Sequence, residues 1–303
     1  YGKTLGLVGE TGAGKTTIAK SILRILPKPP ARLADGEIHF AQKNLLSLSE
    51  NEMRKIRGGH ISMIFQDPMT ALNPIMRIGD QITDGIQIHQ HITKQKAIEQ
   101  AEKMLELVGI PKERFSEYPH QFSGGMKQRV IIAMALSCRP DLLIADEPTS
   151  ALDVTIQAQI MEIIKELQEK NKTSMILITH DLGIIAESCD YVAIIYAGQI
   201  VEYGSKTQLF KETAHPYTLG LFDALPSLNT DVKRLKPIQG ATIDSAALPE
   251  GCYFHPRCPY ASEECSKRAV PLTNIGDGHL CRCMKAVEKD GFRKEGGNIR
   301  GTN

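Results

Sequence analysis

The residue pattern with the clearest chemistry is a glycine-rich stretch near the start of the chain. Residues 9–17 read GETGAGKTT and match the pattern G-x-x-x-x-G-K-[ST], in which successive backbone N–H groups surround phosphate oxygens. Lys15 would reach the β- and γ-phosphates, and Thr16 would offer its hydroxyl to Mg²⁺. The pattern predicts a site for ATP or GTP. The residues expected to form it are Gly9, Glu10, Thr11, Gly12, Ala13, Gly14, Lys15, Thr16 and Thr17.

Two adjacent carboxylates follow a second apolar run, at residues 142–145. In phosphate-loop enzymes an acid at such a strand end binds Mg²⁺, directly or through water, opposite the hydroxyl of the loop. Asp146 fits that role. Glu147 is expected to point in another direction and to polarise a water for attack on the γ-phosphate. An acidic pair alone is also typical of a solvated loop start, but the phosphate loop upstream favours the catalytic interpretation.

Alternating strands and helices are needed to position these residues. An apolar run at 4–8 comes before the loop, and a helix stopped by Pro27 comes after it, so phosphate would lie at a helix N-terminus. Segments that look like strands lie at 37–40, 60–65, 142–145, 174–179 and 191–196, and helical periodicity lies at 97–108, 123–138 and 154–170. This alternation predicts an α/β fold with a mainly parallel sheet. The apolar positions of the helix after the loop are Ile18, Ile22, Ile25 and Leu26.

Composition excludes some classes of protein. The chain has 303 residues, which suits one large domain and a smaller one. With 36 basic and 35 acidic residues, the net charge of +1 gives no field that favours nucleic acid. No apolar run approaches the length that a membrane-spanning helix needs, so we expect no segment to cross a membrane by itself.

Residues 121–129, QFSGGMKQR, resemble the signature sequence of ABC-type ATPases, with Phe122 where that family usually has leucine. Gln66 is similar to the family's glutamine loop, residues 150–153 to its loop after the acidic pair, and His180 to its switch histidine. These motifs stand in the family's order over about residues 1–205. The resemblance implies a phosphate-loop NTPase core with ABC-type antiparallel β and helical subdomains. The helical subdomain would lie at about 69–136, and residues 69–138 are expected to be mostly helical.

The signature residues open a helix, so their amides and hydroxyl would form an anion site. The resemblance implies that this site closes on the γ-phosphate held by a second subunit, so that two ATP molecules are sandwiched in a dimer. It also implies that Gln66 senses Mg²⁺ and water, that His180 holds the γ-phosphate in line, and that Asp153 orients the opposite site. The family's adenine-stacking aromatic lies upstream of the loop, and Tyr1 is too close to it for that role. The signature residues concerned are Ser123, Gly124 and Gly125.

Sequence between the motifs narrows the resemblance to dipeptide, oligopeptide and nickel importers, on residues 63–74, 118–121, 153–160, 196–202 and 215–218. The chain looks most like the first of two paired ATPase subunits. This implies a homologous second ATPase subunit, two transmembrane permease subunits and, indirectly, an extracytoplasmic peptide-binding protein as partners, with no nucleic acid. It also implies a peripheral position on the cytoplasmic face of the cell membrane. The solute is not encoded in this chain.

Five cysteines between residues 252 and 283 form a cluster in a segment with few core residues. A tetrathiolate Zn²⁺ site, a 4Fe–4S cluster, disulfides and reduced thiols are the alternatives. The spacings do not match the C-x₂₋₄-C pairs of common zinc ribbons, and the resemblance implies a 4Fe–4S cluster, with Zn²⁺ second. The expected ligands are Cys252, Cys258, Cys265 and Cys283, with Cys281 as the alternative fourth ligand. We therefore predict an ABC ATPase domain at 1–225 and a small C-terminal peptide-importer extension carrying the cysteine cluster at 226–303.

Two other functions are compatible with an ABC cassette. A soluble ABC ATPase of DNA repair or of the ribosome usually carries two cassettes or a long coiled-coil insertion, and residues 69–136 are too few and lack sustained heptads. A redox protein would transfer electrons at the cysteine cluster, and ATP would control that electron transfer. The motif set favours an importer ATPase over both.

Overall fold

The computed structural model describes residues 1–67, 71–149, 153–224 and 238–287. It divides into two compact units. The first unit comprises Tyr1–Thr4 and Thr16–Ile178, and the second comprises Leu5–Lys15 and Thr179–Asn303. The domain boundary predicted near residue 225 divides the chain at one point in sequence, whereas these units interleave along the chain. That boundary therefore stays a prediction.

The strands and helices of the described residues are numbered in chain order. The strands are β1 (Thr4–Val8), β2 (His39–Phe40), β3 (Lys43–Asn44), β4 (Ile61–Ile64), β5 (Leu142–Asp146), β6 (Ser174–Ile178), β7 (Tyr191–Tyr196), β8 (Gln199–Ser205), β9 (Thr273–Gly276) and β10 (His279–Cys281). The helices are α1 (Lys15–Ile22), α2 (Glu50–Ile56), α3 (Ile78–Gln90), α4 (Lys94–Leu107), α5 (Gly124–Leu136), α6 (Val154–Asn171), α7 (Leu182–Ser188), α8 (Lys206–Lys211), α9 (Pro216–Asp223), α10 (Glu263–Lys267) and α11 (Met284–Val287).

The first unit contains three parallel strands in the order β4-β5-β6. The central strand β5 is apolar along its length, and Leu143, Ile144 and Ala145 have no exposed surface, as expected for a strand covered on both faces. Its last residue, Asp146, is polar and pairs in register with Ile178 at the end of β6. Parallel strands end at the same edge of a sheet, and in open α/β sheets this edge is where ligands bind.

Helices α3, α4 and α5 of the first unit confirm that residues 69–138 are mostly helical, although Pro68, Met69 and Thr70 lie outside the described residues. Helix α4 begins after Thr93, whose side chain accepts a hydrogen bond from the Lys96 amide. The helix buries residues three and four apart, which is the spacing of a single helical face. They are Ala97, Ala101, Met104 and Leu105.

The helix predicted after the phosphate loop ends earlier than expected. Ile18 is 36% exposed, and the buried positions of this region are Ala19 and Leu23. Helix α1 ends at Ile22, because Arg24 adopts a left-handed backbone with φ of 53°. A helix this short cannot present residues 25 and 26 on a shared stripe.

The second unit contains strands in the order β1-β7-β8-β10-β9. The residues of β1 from Leu5 onward pair with β7 in parallel, as predicted, whereas β8 runs antiparallel to β7, and β10 runs antiparallel to both β8 and β9. The expectation of a mainly parallel sheet therefore fails in this unit. The sequence does not reveal β9 and β10, because residues 273–281 are polar and rich in glycine and lack alternation.

None of the helices in the described ranges has the length and apolar character needed to cross a membrane. The apolar segments are instead short strands and partly polar helices that bury one face.

Candidate functional site

Residues 9–15 of the phosphate loop lie in the second unit, and the loop turns at two glycines with left-handed backbones, Gly12 with φ of 82° and Gly14 with φ of 99°. Side chains other than glycine rarely adopt this conformation. The Ala13 amide donates to the Glu10 carbonyl at 3.1 Å, which closes the turn. The Lys15 ammonium is 8% exposed and donates to the carbonyls of Gly9 at 2.7 Å and Glu10 at 3.0 Å. Lys15, the residue predicted to bind phosphate, is thus held against its own loop by two hydrogen bonds.

Thr16 and Asp146 meet in the first unit. The Thr16 hydroxyl donates to the Asp146 Oδ1 at 3.2 Å. Asp146 is 1% exposed at the end of β5, which fixes its carboxylate in place. A hydroxyl and a carboxylate oxygen side by side are the hard ligands that Mg²⁺ prefers, usually together with waters and substrate phosphates. The structure therefore brings together two of the three residues predicted to hold Mg²⁺.

Glu147 and Gln66 form a second pair in the same unit. The Glu147 backbone is left-handed, with φ of 46°, and its amide donates to the Ile178 carbonyl at 2.8 Å. This turn takes Glu147 out of the alternation of β5, so its side chain leaves the strand differently from Asp146. The Gln66 Nε2 donates to the Glu147 Oε2 at 2.8 Å. A non-glycine residue held at positive φ is a strained conformation that often marks a functional position, and this glutamate is the predicted base.

The signature residues lie at the start of α5. The Ser123 side chain accepts from the Met126 amide at 3.4 Å and caps a helix of 13 residues. Ser123 and Gly124 are exposed and Gly125 is partly exposed, and a side chain at Gly124 would meet nothing within 4 Å. An open helix N-terminus of this kind can accept an anion from outside the chain.

Gln128, four residues into the signature helix, is a positioning residue for which we predicted no role. It is 2% exposed, and its Nε2 donates to the Pro148 carbonyl at 2.6 Å. Pro148 directly follows Glu147, so α5 holds the start of the loop that carries the acidic pair. The signal in the sequence was a polar residue on the apolar face of a helix.

The remaining predicted nucleotide residues lie at element ends. Asp153 is exposed and caps α6, accepting from the Ile156 amide at 2.9 Å. His180 is exposed, follows β6 by two residues, and belongs to the second unit. Ser150, Ala151 and Leu152, the other residues of the loop predicted after the acidic pair, lie outside the described residues.

Four of the five clustered cysteines line one small cavity in the second unit, and these are the predicted ligands Cys252, Cys258, Cys265 and Cys283. Cys281 is fully buried in an apolar cluster with Ala214 and Ala286, against which Cys283 also packs, and it does not line the cavity. Within the described ranges, no three His, Cys, Asp or Glu side chains form a group that could hold a metal ion. The cysteines therefore converge, but not in ligating geometry.

Burial governs the protonation of these thiols. It raises the pKa of Cys258 to about 11 and raises the pKa of Cys252 and Cys283 above the ordinary value. Without a bound cation the three are neutral thiols at pH 7. Burial also raises the pKa of Cys189, to about 12, and that residue is 3% exposed, in agreement with its predicted role as a small core residue.

A buried acid fixes the described C-terminal strands. Glu202 on β8 has no exposed surface, and its carboxylate contacts the His279 Nε2 on β10 at 2.8 Å. It also accepts from the amides of Ala214 at 2.7 Å and His215 at 2.9 Å, just before α9. A buried carboxylate must be satisfied by donors in this way, and Glu202 therefore ties β8, β10 and α9 together.

Comparisons with known proteins agree with these motifs. The family described as "ABC transporter" matches residues 1–150, and the family described as "Oligopeptide/dipeptide transporter, C-terminal region" matches residues 201–265. The chain is 50% identical to the dipeptide transport ATP-binding protein DppD of Bacillus subtilis (strain 168), over 93% of this chain and 85% of that protein. It is 47% identical to the oligopeptide transport ATP-binding protein OppD of Escherichia coli (strain K12), over 95% and 85%.

Solved structures show the same fold. The dimeric post-hydrolysis state of the ATP-binding cassette MJ0796 bound to ADP and Pi aligns with a TM-score of 0.60 at 24% identity, over 68% of this chain and 86% of that one. The structure of cbiO1 from Clostridium perfringens, part of the ABC transporter complex cbiONQ, aligns with a TM-score of 0.60 at 29% identity, over 70% and 80%. The chain belongs to the ABC transporter family, among the ATP-binding proteins of dipeptide and oligopeptide transport.

Proposed function

We propose that this chain hydrolyses ATP to power the import of dipeptides or oligopeptides through an ABC transporter. The observation that carries the proposal is the hydrogen bond between Gln66 and Glu147. Glu147 directly follows Asp146, whose carboxylate contacts Thr16. These contacts support a base and a metal-binding acid side by side at the carboxyl end of β5. Relatives that are about half identical over nearly the whole chain are named as peptide-transport ATP-binding proteins.

The nucleotide's phosphates are held by the phosphate loop and Mg²⁺. The backbone amides of residues 9–17 surround the phosphates, and Lys15 exchanges its contacts with the carbonyls of Gly9 and Glu10 for the β- and γ-phosphate oxygens. Thr16, Asp146 and Gln66 would hold Mg²⁺, which would supply positive charge against the γ-phosphate. The buried position of Asp146 supports this role, because a fixed carboxylate loses little freedom when the metal binds.

Glu147 acts as the general base of hydrolysis. Its carboxylate takes a proton from the water that attacks the γ-phosphate, and the amide of Gln66 orients it. His180 donates to the γ-phosphate and keeps it in line with the water. The left-handed backbone of Glu147 supports the assignment, because it separates the base from the neighbouring metal ligand.

The signature residues serve a second subunit. Ser123, Gly124 and Gly125 close on the γ-phosphate that a homologous ATPase subunit holds, and Asp153 orients that site. The exposure of this helix N-terminus supports the proposal, since an anion from another molecule can reach it. The partners are then the second ATPase subunit, two membrane permease subunits and, indirectly, an extracytoplasmic peptide-binding protein, with this chain peripheral on the cytoplasmic face of the membrane.

The four thiols of the cysteine cavity would hold a 4Fe–4S cluster. Their number matches the four cysteine ligands of such a cluster, and Cys281, which does not line the cavity, leaves Cys283 as the fourth ligand. The cluster would cross-link a segment with little core of its own. Zn²⁺ bound by the same four thiolates is the alternative.

Metal analysis of the full chain, purified without oxygen, tests the cluster. We expect close to four iron and four sulfide per chain, and loss of iron on replacing Cys283, but not Cys281, with serine. Zinc at one equivalent with no iron would support the alternative. Absence of both metals from a folded chain would overturn the proposal.

Replacing Glu147 with glutamine tests the hydrolytic function. We expect ATP binding to stay within about twofold of the wild type, and hydrolysis to fall at least about a hundredfold, because a general base contributes that much. Glu162→Gln, which changes an exposed carboxylate of α6, is the matched control and should hydrolyse ATP normally. Normal turnover in the Glu147 variant would exclude this residue as the base.

A further inference from the structure

The cysteine-rich segment reaches the phosphate loop through one arginine. Arg257 lies between Cys252 and Cys258 in sequence, and its guanidinium contacts the Glu10 carboxylate twice. The Nη1 donates to Oε2 at 2.8 Å and the Nη2 donates to Oε1 at 3.1 Å. Two parallel bonds of this kind fix orientation as well as distance, so Glu10 cannot rotate while Arg257 stays in place.

Arg257 is itself immobilised. Its side chain is 6% exposed, its Nε donates to the Gln239 carbonyl at 3.2 Å, and its Nη1 also donates to the Tyr196 hydroxyl at 3.4 Å. Removing a guanidinium and a carboxylate from water is costly, and a buried pair often adds little net stability. A contribution to the stability of the fold therefore does not by itself explain the ion pair between Arg257 and Glu10.

The backbone amide and carbonyl of Glu10 make three hydrogen bonds in and around the phosphate loop. Its amide donates to the Tyr217 hydroxyl at 2.9 Å. Its carbonyl accepts from the Ala13 amide at 3.1 Å and from the Lys15 ammonium at 3.0 Å. The orientation of Glu10 thus sets both the closure of the turn and the position of the lysine that binds phosphate.

An aromatic cluster of Tyr196, Tyr217 and Phe254 links the same two regions. Phe254 comes from the cysteine-rich segment and packs edge-on against Tyr196, with ring centroids 5.2 Å apart. The Tyr196 and Tyr217 centroids are 4.7 Å apart, and the Phe254 and Tyr217 centroids are 5.4 Å apart. Phe254 is 2% exposed, so the cysteine-rich segment supports the tyrosine that holds the Glu10 amide.

We propose that Arg257 is a positioning residue for ATP binding, through which the cysteine-rich C-terminal segment sets the conformation of the phosphate loop. It fixes Glu10 and, through the Glu10 carbonyl, the resting position of Lys15. It also neutralises a carboxylate in a loop whose ligand is a polyanion, and that carboxylate would otherwise repel phosphate. Arg257 therefore acts on the affinity for ATP rather than on the hydrolytic step.

Equilibrium binding of ATP to the full chain in Mg²⁺ tests the proposal, together with steady-state hydrolysis in the assembled transporter. We expect Arg257→Gln to weaken ATP binding about tenfold, because the loop must then be ordered by the ligand. The KM for ATP should rise to match, with kcat within about twofold. Arg257→Lys keeps the charge but loses the two-point contact, and it should recover part of the affinity.

Two controls separate positioning from folding. Lys267→Gln removes an exposed ion pair with Glu263 in the same segment and should leave ATP affinity and melting temperature unchanged. In a Glu10→Gln background, Arg257→Gln should weaken binding by no more than about twofold, because interacting residues are not additive. If the glutamine variant does not fold, the lysine variant carries the test.

Three results would overturn the proposal. The first is wild-type ATP affinity in a folded Arg257→Gln or Arg257→Lys chain. The second is a loss of ATP affinity on Arg257→Gln that is equally large in the wild type and in the Glu10→Gln background. The third is a fall in kcat with no change in the KM for ATP.

Discussion

The residues of the first unit that would carry the chemistry lie in two hydrogen-bonded pairs. Thr16 contacts Asp146 at 3.2 Å, and Gln66 contacts Glu147 at 2.8 Å. Each pair joins a neutral hydrogen-bond donor to a carboxylate. A bound metal ion would replace the first contact by two oxygen ligands without moving the buried carboxylate.

At this scale we predict the effect of removing one hydroxyl. Thr16→Ala should weaken ATP binding about tenfold or more when Mg²⁺ is present and much less when Mg²⁺ is chelated, because the lost group contacts the metal rather than the phosphate. Calorimetric titration with and without Mg²⁺ measures both values. Ser21→Ala removes another hydroxyl from α1, one that donates to the Thr17 carbonyl, and should leave both values unchanged. An equal loss in the two conditions would exclude Thr16 as a metal ligand.

Sequence identifies residues that lie within a short pattern and misses those that act across long separations. Lys15, Thr16 and Asp146 each belong to a motif with fixed spacing and a known chemistry. Arg257 and Tyr217 contact Glu10 from more than 200 residues away, and neither lies in an amphipathic stretch that points to this contact. Such partners can be recognised only once the strands have brought the segments together.

At the scale of elements, strands were easier to place than helix ends. β7 matches its predicted span, and β4, β5 and β6 match theirs within one or two residues, because buried parallel strands form continuous apolar runs. Helix α1 is shorter than predicted, because the left-handed Arg24 follows closely after it. The described C-terminal strands were missed because Glu202 and His279, rather than an apolar face, tie β10 to β8.

Helix α3 provides an internal comparison between two glycines. A Cβ at Gly79 would lie 2.2 Å from the Phe115 ring, whereas a Cβ at Gly85 would meet nothing within 4 Å. We predict that Gly79→Ala destabilises the chain by about 1–3 kcal/mol through overpacking, and that Gly85→Ala stabilises it by about 0.5–1 kcal/mol through helix propensity.

Urea unfolding of both variants measures these changes in the free energy of unfolding. The Gly85 variant is the control for the helix-propensity part of the effect, because both substitutions add the same methyl group to the same helix. Equal stabilisation by both variants would mean that Phe115 does not pack on Gly79.

At the scale of the whole molecule, the account depends on a second subunit. Residues 9–15 of the phosphate loop lie in one compact unit of this chain, and the signature helix α5 lies in the other, with its N-terminus exposed. Family membership follows from sequence over nearly the whole length of the relatives. The composite ATP site is our proposal, and it requires residues 123–125 to meet a nucleotide held by another subunit.

Gly124→Asp is suited to test the composite site. The position has open space, and an acidic residue in the first turn of a helix favours folding. In the proposed complex, however, its negative charge would face a γ-phosphate. The substitution therefore separates a defect of assembly from a defect of folding.

The most direct measurement is the mass of the complex that the Glu147→Gln chain forms with its homologous ATPase subunit, by light scattering with and without MgATP. We predict a heterodimer that forms only with MgATP and that the additional Gly124→Asp substitution abolishes, while the melting temperature of the chain is kept. A heterodimer that forms equally well with Gly124→Asp, or equally well without nucleotide, would contradict the account.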